Sequence, residues 1–157
     1  MIIAEPTAAQ AADVIAINHL AASYAEAVSR LQIEEAVETY AIDGVLASPT
    51  TDDAVGRPAI VSVISAATES LEFVFQTVHS GLVHVDGDHA AARFPITEWS
   101  RRKRDGVTMV FLGLYEDDVV RTPDGWRFAR RELVAKTLGK AELFTGRIHD
   151  PELRPAL

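Results

Sequence analysis

The 157-residue chain has no cysteine. That excludes disulfides, thiolate nucleophiles and cysteine-bound zinc or iron–sulfur centres. Nor does the sequence contain a run of about 18 apolar residues, so no membrane span is expected. Positive charge is scarce: 15 Lys and Arg against 23 Asp and Glu leave a formal net charge of -8. Such a balance opposes binding to nucleic acid, which needs clustered cations for its phosphates. The single basic run, Arg101 to Arg104, is cut short by Asp105 and Gly106 and reads as a solvated hairpin tip. No Gly-rich phosphate loop, dinucleotide fingerprint or nucleophile elbow is present, and no cofactor is expected. His19, His89 and His149 are scattered, with no His-x-x-x-His or Glu-x-x-His spacing, and no metal site is expected. The opening Met1 to Pro6 lacks the basic and long apolar segments of a secretory signal, which makes the cytoplasm the default location.

What is present suits one domain, residues 1–157, with 48% hydrophobic residues to build a core. Thr7 and Gln10 form a capping box after Pro6, and apolar residues from Val14 through Tyr24 to Leu31 recur at three- and four-residue steps. A helix over about 8–30 follows. A second, short helix is expected over 33–40, and Pro58 in Gly56-Arg57-Pro58-Ala59-Ile60 opens a third. After Ser70 the pattern changes to strands. Asp86-Gly87, Asp105-Gly106 and Asp124-Gly125 are hairpin signals spaced 19 residues apart. They predict an antiparallel meander of four strands, about 73–85, 88–103, 107–121 and 126–138. A straight strand of about 15 residues would run roughly 50 Å, against a radius of gyration of about 15 Å for a chain this long. The sheet must therefore curl, with Pro95 and Gly113 marking bends. The expected class is α+β: a cone-shaped, curved antiparallel sheet closed by the N-terminal helices, with a small-molecule pocket at its wide end. Its core spans about 7–138, and a tail over 139–157, with Leu143, Phe144, Ile148 and Leu153, would cover the mouth or reach a neighbour.

Several segments resemble one family. Gly113 to Asp117, followed by Arg121 to Arg131 with Gly125, Trp126 and Phe128, resembles the C-terminal hairpin of SnoaL-like proteins of the nuclear transport factor 2-like superfamily. Gly56 to Ile60, Gln76 to His79 and Val85 to Ala90 match in the expected order, so the resemblance covers about residues 10–138. It implies the cystatin-like conical α+β barrel that periodicity also predicts. Scytalone dehydratase, a dehydrochlorinase, polyketide cyclases and epoxide hydrolases share this fold and place polar residues in the cone.

The resemblance implies that His79 is the general base, which in dehydratase-type members is assisted by an Asp on the first helix. The family spacing from Tyr24 puts Ser29 where that Asp stands, and a hydroxyl holds an imidazolium less well than a carboxylate. Alternation groups Phe75, Thr77, His79, Gly81 and Val83 on one strand face, with Gln76, Val78, Ser80, Leu82 and His84 on the other. Arg131 either binds a substrate anion or pairs with Asp117 or Glu132. Tyr24, Arg93, Glu98, Phe111 and Tyr115 are candidates for the lining, while Trp126 and Phe128 read as core packing. The functions this allows are a cofactor-independent lyase or isomerase acting on a small apolar ring or polyketide-like substrate, or a non-catalytic ligand-binding or assembly module. The latter includes a partner subunit of the ring-hydroxylating dioxygenase beta type. A homodimer or homotrimer is expected, because a long sheet leaves one apolar face to cover.

Overall fold

The structure is a computed structural model and describes residues 5–142; residues 1–4 and most of the tail, with Leu143, Phe144, Ile148 and Leu153, lie outside the described residues. The helices are α1 (Ala11–Ser29) and α2 (Ile33–Glu38), which open the chain, and α3 (Arg57–Glu69), which follows the first two strands. The Thr7 amide and hydroxyl both donate to Gln10 Oε1, which holds a turn just ahead of α1. Helix α2 stops short of the expected Tyr40, because the Thr39 hydroxyl donates back to the Ala36 carbonyl at 2.6 Å and the chain leaves as a strand.

Seven strands form one sheet: β1 (Tyr40–Ser48), β2 (Thr51–Val55), β3 (Leu71–Val78), β4 (Leu82–Asp86), β5 (His89–Arg102), β6 (Thr108–Thr122) and β7 (Gly125–Lys140). The order is β2-β1-β7-β6-β5-β3, with β4 also on β5, and the sheet is curved but not closed. The three Asp-Gly hairpins form as predicted, with Gly87, Gly106 and Gly125 at φ of +61°, +64° and +100°, where a Cβ would be strained. Two strands were not expected. β1 pairs in parallel with β7, whose partner residues lie far along the chain (Tyr40 with Phe128, Ala47 with Glu132), and β2 folds back on β1.

The first long strand of the expected meander is broken into β3 and β4 at residues 79–81. Pro95 sits opposite the break. Its carbonyl accepts the His79 amide at 3.0 Å, so the position where Pro95 lacks a donor faces the gap between the two short strands. The break also shifts the alternation: Val74 and Gln76 are buried on β3, whereas Val83 and Val85 are buried on β4. Bending is further served by the register shift beside Gly113 on β6.

The core lies between α1 and the concave face of the sheet. Ile17, Leu20, Ala21, Tyr24 and Val28 pack toward Phe94, Tyr115, Val119, Trp126 and Phe128. Among the described residues, no helix is long and apolar enough to cross a membrane.

Candidate functional site

Cross-strand pairing sets the side chains of the concave face in rows. One row runs Val119 and Phe128, the next Asp117 and Arg131, then Phe94, Tyr115 and Leu133, then Ile96, Gly113 and Ala135, and last Gln76, Glu98, Phe111 and Leu138. Helix α1 covers the first three. At the last row the cover ends: Phe111 is half-buried and Leu138 is 65% exposed.

Under the cover lies a closed polar cluster. Arg131 is fully buried and makes two parallel bonds to Asp117, Nε to Oδ1 at 2.8 Å and Nη2 to Oδ2 at 2.7 Å. Its Cζ stands 3.7 Å from the centre of the Phe128 ring, 4.1 Å from Tyr115 and 4.6 Å from Tyr24. Tyr24 in turn packs edge-on against Tyr40, Tyr115 and Phe128. Burial pushes the phenols of Tyr40 and Tyr115 well above the usual range and raises that of Tyr24, so all three stay protonated. Burial also pushes the Asp117 carboxyl up, opposed by the charge and hydrogen bonds of Arg131. Arg131 Nη1, Tyr40 Oη and Gln76 Oε1 are buried with no hydrogen-bond partner among the described residues. Buried polar groups are rarely left so.

A second polar pair stands where the cover ends. Gln76 Nε2 donates to Glu98 Oε2 at 3.0 Å. Burial raises the Glu98 carboxyl, and the Gln76 bond only partly offsets it.

The expected site residues divide between the two faces. Tyr24, Tyr115 and Arg131 are inside the cone, and Phe111 is at its open row. Of the two alternatives for Arg131, the ion pair with Asp117 forms. Arg93 is exposed on the convex face and pairs with Glu116 at 2.9 Å. His79 is corrected: its ring is not on the concave face. It is exposed just past the end of β3, with Nε2 3.2 Å from Thr97 Oγ1. Because Val74 and Gln76 face inward, Phe75, Thr77 and His79 face outward, and after the break Val83 parts from them to face the core. His84 is exposed as well. Ser29 ends α1; its hydroxyl accepts the Gln76 amide at 2.8 Å and donates to the Ala25 carbonyl at 2.8 Å. The residue of β3 beside Ser29 is thus Gln76, not His79. Both strand faces carry apolar and polar residues, so alternation alone offered no way to choose Gln76.

An open groove of about 300 Å³ lies elsewhere, between α1, α2 and the start of β7, with His19, Glu35, Glu38 and Trp126 in its wall. It does not reach the concave rows.

A curved sheet roofed by a leading helix, with a polar cluster beneath the roof, defines a cone-shaped α+β protein of the cystatin-like kind. Residues 9–132 match the SnoaL-like domain, and the chain belongs to that family. An uncharacterized protein of Mycobacterium tuberculosis is 29% identical over 125 residues, covering 78% of this chain and 85% of that protein. Among solved structures, a ketosteroid isomerase-like protein from Erwinia carotovora atroseptica superposes with a TM-score of 0.70 at 24% identity, over 80% of this chain and 97% of that one. A type 2 hexachlorocyclohexane dehydrochlorinase superposes with a TM-score of 0.78 at 11% identity, over 90% and 96% of the two chains. At these identities the structural likeness establishes the fold.

Proposed function

We propose that this SnoaL-like protein binds a small, mostly apolar ring or polyketide-like molecule on the open row of the concave face and acts on it as a cofactor-independent lyase or isomerase. The observation that carries this reading is the juxtaposition of Phe111 and Leu138, apolar and incompletely covered, with the inward polar pair Gln76 and Glu98. Apolar walls with a few convergent polar groups are what small-molecule sites are made of. Neighbours of the same fold that are called isomerase-like or dehydrochlorinase fit this class of reaction. His79 has no part in it, since its ring is on the other face.

The test uses 2-tetralone, a fused-ring ketone, titrated into the full chain and followed by NMR. Binding is expected to shift the signals of Phe111 and Leu138, and Phe111→Ala is expected to weaken it at least tenfold, or about 1.4 kcal/mol. No shifts at millimolar ketone, or shifts confined to the convex face, would refute the site.

A non-catalytic ligand-binding or assembly role is the second reading. It is favoured by the Ser29 hydroxyl, which is occupied by the Gln76 backbone amide and the Ala25 carbonyl and has no imidazole beside it among the described residues. Tetralone binding without any chemistry on the ketone would support it.

A further inference from the structure

We propose that Glu98 is the proton-transferring group of this site and that Gln76 positions it. The proposal rests on the reading of the open row as a ligand site and assigns its chemistry.

Glu98 is placed by β5, whose residues Phe94, Ile96 and Ser100 share its concave face. Gln76 reaches it from the neighbouring strand and donates a hydrogen bond at 3.0 Å. From α1 and β6 the titratable groups close enough to act on it electrostatically are the phenols of Tyr24 and Tyr115, both protonated. The cation inside the cone, Arg131 on β7, is committed to Asp117 through two hydrogen bonds. Among the described residues, Glu98 therefore faces the interior with a neutral amide as its partner and no ion pair.

An inward carboxylate without a counter-ion costs stability, and packing alone would be better served by an apolar residue. Such groups cluster at functional sites, where a carboxyl nearer neutrality works as an acid and a base in turn. Burial raises this carboxyl in the required direction. Half-buried beside Phe111, it is within reach of a molecule lying on Phe111 and Leu138.

The step balances without any other reagent. The Glu98 carboxylate takes the proton from the carbon next to a ketone. The electron pair of that C–H bond becomes the new C=C bond, and the carbonyl π pair moves to oxygen. If the Glu98 carboxyl first trades that proton for a solvent deuteron, delivery of the deuteron to the same carbon gives exchange, and delivery of a proton to a conjugated carbon gives isomerisation.

The experiment follows replacement of the α-protons of 2-tetralone by deuterium, by NMR in D₂O, with the full chain. The wild type is expected to accelerate exchange over buffer, with a rate that rises with pH as Glu98 loses its proton. Glu98→Gln is expected to remove at least nine-tenths of that acceleration while tetralone affinity stays within about threefold. Gln76→Met is expected to retain exchange but move the midpoint of its pH profile upward, because the donor that stabilises the carboxylate is gone. A merely structural Gln76 would leave that midpoint in place, and the shift decides the matter even if Glu98→Gln fails to fold. Equal exchange in the wild type and Glu98→Gln would overturn the assignment but leave the ligand site standing, as would binding without exchange. Absence of tetralone binding would remove the ligand site and the assignment together.

Discussion

The buried pair of Arg131 and Asp117 gives the sharpest test of how the cone holds together. In Asp117→Asn the guanidinium keeps its charge, because it cannot shed a proton, and loses the anion that two bonds of 2.8 and 2.7 Å now supply. Breaking a buried pair in this way costs about 3–5 kcal/mol. The rings of Phe128, Tyr115 and Tyr24 around the guanidinium return only part of that. At roughly 2–4 °C per kcal/mol for a chain of this size, the midpoint of thermal unfolding should fall by roughly 6–20 °C. Arg131→Met strands the other partner, and here the outcome depends on pH. The orphaned Asp117 carboxyl can escape by taking a proton, so its folded pKa lies above the unfolded value of about 3.9. The stabilising contribution of that proton is complete below about pH 3.9 and is lost as pH rises toward the folded pKa. Moving from pH 7 to pH 5 should then restore up to about 2.7 kcal/mol to Arg131→Met, and nothing comparable to Asp117→Asn. The double variant Asp117→Leu/Arg131→Met should recover most of the loss, since an apolar pair fills the space without stranded charge. Urea unfolding followed by tryptophan fluorescence and circular dichroism at the two pH values measures all of this. A loss under about 1 kcal/mol in Asp117→Asn, or a double variant no better than the single ones, would refute the account.

Three further outcomes follow from the same structure. A Cβ at Gly113 would lie 2.7 Å from the Phe111 ring and 2.8 Å from the Val134 carbonyl, so Gly113→Ala should cost about 1–3 kcal/mol in urea unfolding and disturb the open row. Ser29→Ala strands the Gln76 amide of an edge strand; a loss of about 1–3 kcal/mol is expected, with faster hydrogen exchange at Gln76, and unchanged exchange would argue against the anchor. On the convex face Phe75 of β3 is 58% and Leu112 of β6 42% exposed, on either side of β5 and two residues apart in register, and we propose that a second copy covers them. Light scattering should show a dimer that Phe75→Glu dissociates; a monomeric wild type would refute it.

Short-range chemistry decided much of this fold in advance. Asp-Gly pairs at 86, 105 and 124 can close tight hairpins whatever surrounds them, and the apolar steps from Val14 to Tyr24 commit α1 to burying one face. The excess of strand length over domain size required curvature before any contact was known. Tyr24 could be placed inside because the period of α1 was clear, whereas Arg131 was placed by the family resemblance: strict alternation from Trp126 and Phe128 would turn it outward, and the register shift between Phe128 and Arg130 brings it in. What sequence alone could not decide depends on partners far along the chain. β1 exists because β7, far later in the chain, offers its edge, and the run from Tyr40 to Ser48 has too irregular a burial pattern to announce a strand. The break at 79–81 is stabilised from β5, through the Pro95 carbonyl, and its shift of alternation parts Val83, which faces the core, from Phe75, Thr77 and His79, which do not. A one-residue change of register moves a side chain from one face of a sheet to the other, so only the tertiary pairing could show that Gln76, beside Ser29 and Glu98, is the residue that looks inward.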